Sequence, residues 1–392
     1  MNRATFRLVL LVSCAHALVH VFELSLPSVE LMIGDEFGAG RDRTGMLGTA
    51  WRLPFGLGAL LAGLLADRFG SKRLLLVYLG GCSGMALLAY WAPTLAILFA
   101  VMFGMGCFAS IYHPAGLALI STETTAANRP KALGWHGIVG SLGIAAAPFL
   151  AAIVFHTGTV TWRQYYALLV IPAVIIAGLL FFYLKQTPVR QKVDAARKPA
   201  TGGEARWRAY LLLVVIGVSM GFTYAAFMHF LPRYLDGVGI RPSGVSPESF
   251  RNYLAALVLL FAAVGQGVAG KIARAGRLEP LMALILFANV PPLIWMSLAD
   301  GRARIWAACS LALVHFMNQP VYNSLIAEYV PRARRSLGYG FSNTLCFGIG
   351  GFGPTYAGFV KDDFRTYGGL AILAAIAGLL ALLLVRWRDK QA

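Results

Sequence analysis

Charged residues are scarce in this sequence: Asp, Glu, Lys and Arg together make up 13% of the chain. A soluble globular domain carries about 25% charged residues, so the composition excludes that class of protein. Hydrophobic residues make up 58%, and the mean hydropathy is +0.67. Because a membrane-spanning helix needs about 20 apolar residues, a chain of 392 residues accommodates twelve spans with short loops. We therefore predict an all-α membrane protein.

Cysteine is also rare, with five residues in the chain. Each lies in an apolar run without the paired spacing of disulfides or metal ligands, so we expect them to be packing residues. Nucleotide-binding motifs are absent from the sequence, so the energy source must be a gradient, and we expect no cofactor. The five cysteines are Cys14, Cys82, Cys107, Cys309 and Cys346.

The apolar runs predict two six-helix bundles, formed by residues 1–186 and 208–392. Residues 187–207 lie between them and are rich in bases, with Gly202 and Gly203, as is typical of a flexible linker. We expect this linker to be cytoplasmic. The predicted spans are 6–31, 44–66, 74–92, 95–122, 131–155, 165–184, 208–235, 250–270, 279–299, 303–328, 335–359 and 366–386.

Positive charge is distributed by loop. If both termini are cytoplasmic, the segments on that side hold 23 Lys and Arg residues and the opposite loops hold 10. Cytoplasmic loops carry an excess of these residues, so we predict that both ends lie inside the cell. The net charge of +17 is thus explained by topology, and with no nucleic-acid-binding motif present we expect no nucleic-acid partner.

One charged stretch, Gly63–Arg73, lies between two apolar runs and predicts a tight loop between membrane helices. A degraded copy occurs at Gly267–Arg277, with Lys271 in place of the acid. At the same spacing, Asn128–Gly134 and Arg332–Gly338 share Leu-Gly and a base three residues before the glycine. These matches indicate two related halves in tandem.

Six residues of the first loop form a recognisable motif: Gly63, Asp67, Arg68, Gly70, Lys72 and Arg73. The motif resembles the signature loop between helices 2 and 3 of major facilitator superfamily transporters, and the resemblance extends over nearly the whole chain. It implies that Asp67 contacts the N-terminus of helix 11, whose dipole attracts a carboxylate. This conformational latch, formed by Gly63, Asp67, Arg68, Gly70 and Arg73, would hold the outward-facing state and break when the protein opens inward.

A narrower resemblance rests on Tyr112–Ser121, Ala132–Gly137 and Ala147–Leu150. Within the superfamily, these segments are most similar to the fosmidomycin-resistance group of exporters. We expect a multi-pass protein of the bacterial inner membrane that acts as a monomer.

Polar residues recur on every third predicted helix. Helices 1, 4, 7 and 10 carry histidines, tyrosines and amides, whereas helices 3, 6, 9 and 12 are almost purely apolar. A polar side chain facing lipid is costly, so we predict that the first set lines a central path and the second faces lipid. Helices 2, 5, 8 and 11 are rich in glycine, which permits close backbone approach. We expect them to form the contacts between the halves.

Helix 1 carries the strongest candidate for proton coupling. His16, His20 and Glu23 lie at i, i+4 and i+7, within one helix face. Burial would favour the neutral form of Glu23 unless a cation lies beside it. We interpret Glu23 as the proton carrier with His20 and His16 as partners. The alternatives are a structural clasp between helices, with Arg52 as the candidate partner, and a metal site, since His-x3-His-x2-Glu also has metal-ligand spacing.

The remaining polar residues of the path are substrate-site candidates. Arg52 either binds an anionic group of the substrate or extends to the membrane surface as an anchor. His229, like His136, could equally be a hydrogen-bonded core residue, and the kink expected at Pro114 could serve packing alone. The predicted substrate-binding residues are Arg52, Tyr112, His113, Tyr224, His229, His315, Asn318, Gln319 and Tyr322.

Together these features predict a secondary transporter that exports a small organic molecule, anionic or drug-like, by alternating access in exchange for protons. The expected partners are that substrate, protons and the lipid bilayer. Two transport alternatives remain: a divalent metal or metal chelate carried through His16, His20 and Glu23, and a proton-coupled uptake symporter. An intramembrane metalloenzyme would need a His-Glu-x-x-His motif, which is absent from the sequence, so we predict that the protein is not an enzyme.

Overall fold

Among the residues that the structure describes, the apolar segments of the chain form twelve helices. A computed structural model of the protein describes residues 3–125, 128–184, 206–274, 276–331 and 334–389. The predicted linker, 187–207, lies almost wholly outside the described residues, and the domain boundaries placed there remain predictions. The twelve helices are α1 (Arg3–Phe37), α2 (Arg41–Phe69), α3 (Ser71–Trp91), α4 (Leu95–Ala109 and Tyr112–Glu123), α5 (Arg129–Val154), α6 (Trp162–Tyr183), α7 (Trp207–Asp236), α8 (Pro247–Ile272), α9 (Leu278–Ala288 and Val290–Leu298), α10 (Ala303–Phe316 and Asn318–Tyr329), α11 (Arg335–Gly348 and Gly353–Val360) and α12 (Asp363–Asp389).

These helices form the predicted twelve-helix architecture of two six-helix bundles. Among the described residues, ten helices are long and apolar enough to cross a membrane. The other two, α10 and α11, are divided into shorter segments. The first bundle contains α1 to α6 and the second contains α7 to α12.

Four of the described helices are interrupted, and a proline follows each interruption. A proline cannot donate to the carbonyl four residues earlier, and its ring clashes with that carbonyl. The expected kink in α4 occurs at Ser110, four residues before Pro114, and α10 breaks at Met317, three residues before Pro320. The breaks in α9 and α11 likewise precede Pro292 and Pro354. Proline alone does not break a helix in this protein, since α1, α2, α5, α6 and α7 each continue through one.

Burial follows the predicted polarity. The most apolar window of α1 is 67% buried, whereas that of α6 is only 28% buried. On α6, α9 and α12, large apolar side chains such as Phe182, Leu298 and Ile372 are exposed. Such a surface suits lipid contact, where no polar partner is needed.

Glycine-rich helices form the contacts between the two halves, as predicted. Helix α2 packs on α11, and α5 packs on α8. At one point the backbones almost touch, because a Cβ added to Gly56 would lie 2.2 Å from the backbone nitrogen of Gly348. The two halves can approach this closely only because Gly56 has no side chain.

Several bonds between the halves lie at the end opposite the termini. Arg233 of α7 donates to both carboxylate oxygens of Glu30 of α1, at 2.8 Å each. Arg41 of α2 pairs with Asp363 of α12 at 3.0 Å. Near the same end, Ser249 of α8 donates to the carbonyl of Ala152 at 2.7 Å. These contacts close the molecule at this end.

We expect Gly56→Val to lower the stability of the protein by about 1–3 kcal/mol, the usual effect of forcing extra atoms into a packed contact. The measurement is thermal unfolding of the purified protein in detergent. Gly80→Val is the matched control, because a Cβ at Gly80 would have no neighbour within 4 Å. Equal melting temperatures for the two variants would contradict the close contact of α2 with α11.

Candidate functional site

Glu23 is the centre of a buried polar cluster between the two halves. Its side chain is 4% exposed, and three side chains hold its carboxylate. Arg52 of α2 donates to Oε1 at 2.9 Å, and Nδ1 of His20 lies 2.9 Å from Oε2. Tyr224 of α7 donates to Oε1 at 3.1 Å. Glu23 therefore receives hydrogen bonds from both bundles.

Arg52 lies deep in the protein, not at the membrane surface. The residue is 4% exposed, and its guanidinium carbon lies 5.3 Å from the centre of the Tyr224 ring. Its Nη1 donates to Glu23, but within the described part of the chain its Nη2 is buried without a hydrogen-bond partner. An unsatisfied buried guanidinium nitrogen is costly, so this atom is available to an anionic or carbonyl group of a ligand.

A chain of hydrogen bonds leads from Glu23 along α1. Nε2 of His20 lies 3.3 Å from Nε2 of His16, and Nδ1 of His16 lies 3.1 Å from the backbone oxygen of His136. A carbonyl oxygen only accepts, so Nδ1 of His16 donates to it and the other nitrogen of a neutral His16 accepts from His20. The remaining nitrogen of His20 faces the carboxylate. One further proton must then lie between His20 and Glu23, on either group.

Other aromatic rings surround His16. Its ring stacks on that of His136 with centroids 4.2 Å apart and on that of Tyr112 at 5.1 Å. His113 approaches edge-on at 5.1 Å. Tyr112 donates its hydroxyl hydrogen to the backbone oxygen of Val12 at 2.7 Å and is fully buried. In this conformation Tyr112 is thus a wall of the cluster, and its predicted contact with substrate stays a prediction.

The second bundle contributes Tyr224 to the cluster. The other predicted substrate residues of this bundle form their hydrogen bonds away from Glu23. His229 donates to the backbone oxygen of Thr44 in α2 at 3.0 Å. The other four are bonded apart from Glu23: His315 to Asn289 at 3.0 Å, Asn318 to the His315 carbonyl at 3.0 Å, Gln319 to Gln266 at 2.6 Å and Tyr322 to Ser342 at 2.6 Å. Among the described residues, none of these bonds reaches Glu23.

Sequence reasoning left the role of His136 undecided and did not identify Gln266. His136 was an undecided residue, yet its carbonyl and ring both contact His16. A polar residue in a glycine-rich helix was the available signal, since small neighbours allow such close packing. Gln266 of α8 accepts from Ser141 of α5 at 2.9 Å and donates to Gln319 at 2.6 Å. This second chain of hydrogen bonds, from Ser141 through Gln266 to Gln319, joins the two bundles.

The residues of the predicted latch lie at the end near the termini. Asp67 is exposed and forms no ion pair within the described ranges. Lys72 donates to the backbone oxygens of Phe181 and Leu184 in its own bundle. Gly70 adopts a left-handed backbone with φ of 88° at the α2–α3 turn, which a side chain would disfavour. The latch itself stays a prediction.

Comparison with known proteins gives concordant results. A family model of the Major Facilitator Superfamily matches residues 11–354. The chain is 23% identical over 376 residues to the probable L-galactonate transporter of Escherichia coli K12, covering 88% of this chain and 80% of that protein. It is 35% identical over 144 residues to a puromycin resistance protein of Streptomyces alboniger, covering 36% of this chain and 27% of that protein.

Among solved structures, the fold is similar to that of a bacterial homologue of the human lysosomal transporter Spinster in an inward-facing and occupied conformation. The TM-score is 0.78 with 15% identity, and 98% of each chain is covered.

We expect Arg52→Met to destabilise the protein by about 3–5 kcal/mol, because it leaves the Glu23 carboxylate buried without its cation. Adding Glu23→Gln to that variant removes the unpaired charge and should recover most of the loss. Thermal unfolding in detergent measures both. If the double variant is no more stable than Arg52→Met alone, the two side chains do not form the pair described.

Proposed function

The chain belongs to the major facilitator superfamily, and on that premise we propose that it is a proton-coupled secondary transporter of a small organic anion. It is a multi-pass membrane transporter and not an enzyme. The observation that carries the proposal is the Glu23–Arg52 pair, buried between the bundles and bonded to Tyr224 of the second bundle.

The contacts of Glu23 support the proposal of proton coupling. The carboxylate accepts hydrogen bonds from α2 and α7, which belong to different bundles. Protonation removes its negative charge and weakens both bonds, since charge-assisted hydrogen bonds are roughly twice as strong as neutral ones. The proton carried by Glu23 and His20 therefore changes the contact between the bundles, which is the requirement for driving alternating access.

Whether the substrate moves with the proton or against it depends on the charge of the substrate. Protonated Glu23 leaves the buried Arg52 guanidinium without a counter-ion, and an anionic substrate would supply one. Proton and anion then favour each other's binding by the same factor, so both move in the same direction. The unpartnered Nη2 of Arg52 supports this anion symport, as does the similarity to the probable L-galactonate transporter.

Proton-coupled export is the second candidate. A cationic or neutral drug-like molecule that binds the Glu23 carboxylate would compete with the proton, and competition for one site gives antiport. The similarity to the puromycin resistance protein and the resemblance to the fosmidomycin-resistance exporters support this candidate.

The distribution of charge among the loops supports a location in the cell membrane. The loop charges of 23 against 10 support a bacterial inner-membrane protein with both termini cytoplasmic. With that orientation, the ion pairs of Glu30 with Arg233 and of Arg41 with Asp363 would close the external side. The exposed Asp67 is then the released state of the predicted latch. The proposed protein acts as a monomer, with one substrate path between its two bundles.

Flux in proteoliposomes containing a pH-sensitive dye tests the function. We would add a sugar acid, a phosphonate or a cationic drug outside the vesicles. Symport of an entering substrate acidifies the lumen, whereas antiport makes it alkaline. Glu23→Gln should reduce the pH change by about ten-fold or more while exchange of labelled substrate continues.

Asp35→Asn is the control for this experiment, because it makes the same acid-to-amide change at an exposed position of α1. It should behave as wild type. An unchanged proton flux in Glu23→Gln would rule out Glu23 as the coupling group.

A further inference from the structure

We propose that His16, His20 and His113 form a binding site for a divalent transition-metal ion such as Zn²⁺. The first two residues lie on α1 and the third begins the second segment of α4. One ligand nitrogen from each residue lies within 4.8 Å of the others. All three residues belong to the first bundle, and the site adjoins Glu23, whose carboxylate contacts Nδ1 of His20.

The two α1 histidines already have the spacing of metal ligands. Their Nε2 atoms face each other at 3.3 Å. In a tetrahedral zinc site with Zn–N distances of about 2.0–2.1 Å, two ligand nitrogens lie about 3.3–3.4 Å apart. An ion can thus replace the hydrogen between these nitrogens with little movement of either ring.

The opposite nitrogens of both rings are held by oxygen atoms. Nδ1 of His16 lies 3.1 Å from the backbone oxygen of His136, and Nδ1 of His20 lies 2.9 Å from the Glu23 carboxylate. Metal-binding histidines commonly donate their second N–H to a carbonyl or a carboxylate, which fixes the ring and directs the other nitrogen at the ion. Both histidines have this arrangement.

His113 is free to complete the site. Its ring centre lies 5.1 Å from that of His16 and 6.0 Å from that of His20. Within the described ranges its imidazole forms no hydrogen bond, and it is only half-buried. The three histidines leave the fourth position of a tetrahedral ion open to water or another small ligand.

This ligand set differs from the His16, His20 and Glu23 set suggested by sequence spacing. The Glu23 carboxylate is bonded to Arg52 and Tyr224, and the arginine would repel a cation placed there. Three imidazoles favour zinc, copper or nickel over magnesium or calcium, which need oxygen ligands. Because all three ligands belong to one bundle, the ion would be a resident of the protein and not a cargo.

Titration of Co²⁺ into the metal-free, full-length protein in detergent tests the site. We expect one equivalent to bind with the visible absorption of a tetrahedral ion, and Zn²⁺ to displace it and raise the melting temperature. His113→Ala removes a direct ligand and should weaken binding by about 100-fold or more, since loss of an outer-shell partner alone typically costs about 10- to 100-fold. His156→Ala is the matched control, because His156 is exposed at the end of α5, outside the cluster.

His113→Gln provides a second variant if the alanine variant does not fold. Loss of Co²⁺ binding in either folded variant, with retention in His156→Ala, supports the site. Wild-type affinity in both His113 variants, an equal loss in His156→Ala, or no tetrahedral absorption would overturn it. The titration requires no transported substrate, so its failure would leave the proposal of proton coupling standing.

Discussion

The buried ion pair of Glu23 and Arg52 is the constraint on which the arrangement of this protein depends. An isolated charge inside a bilayer costs several kcal/mol, so each of these residues requires the other. The pair brings α1 against α2 in the protein interior, at a 2.9 Å contact. Tyr224 then connects α7 to the same carboxylate. Glu23 of α1 is thus a point at which the two bundles meet.

The two bundles have the same architecture but different chemistry. The first contains the ion pair and the histidine cluster around His16. In the second, the predicted substrate residues His315 and Tyr322 are bonded to neutral groups, Asn289 and Ser342. Under the proposed function, the group that responds to protons lies in the first bundle, and the second is connected to it through Tyr224. This asymmetry accords with the loss of the acid at Lys271 in the second copy of the signature loop.

Backbone features make movement between the bundles compatible with the membrane. Breaks divide α4 and α10 shortly before Pro114 and Pro320, and adjoining polar side chains such as Tyr112 and Asn318 are buried instead of contacting lipid. Glycine allows α2 and α11 to approach within backbone contact at Gly56. Such surfaces can slide without interlocking side chains, while ion pairs such as Glu30 with Arg233 fix the closed end.

The sequence by itself determined the features that depend on neighbours along one helix or on composition. Apolar length predicted twelve spans, and helical spacing placed His16, His20 and Glu23 on one face. Glycine and polarity predicted which helices contact lipid and which contact each other. The tertiary structure decided the partners across helices: Arg52 for Glu23, His136 for His16, and Thr44 for His229. Periodicity fixes the direction of a side chain around its own helix, but the partner it meets depends on how two helices are rotated and shifted against each other, and that is set by packing of the whole bundle.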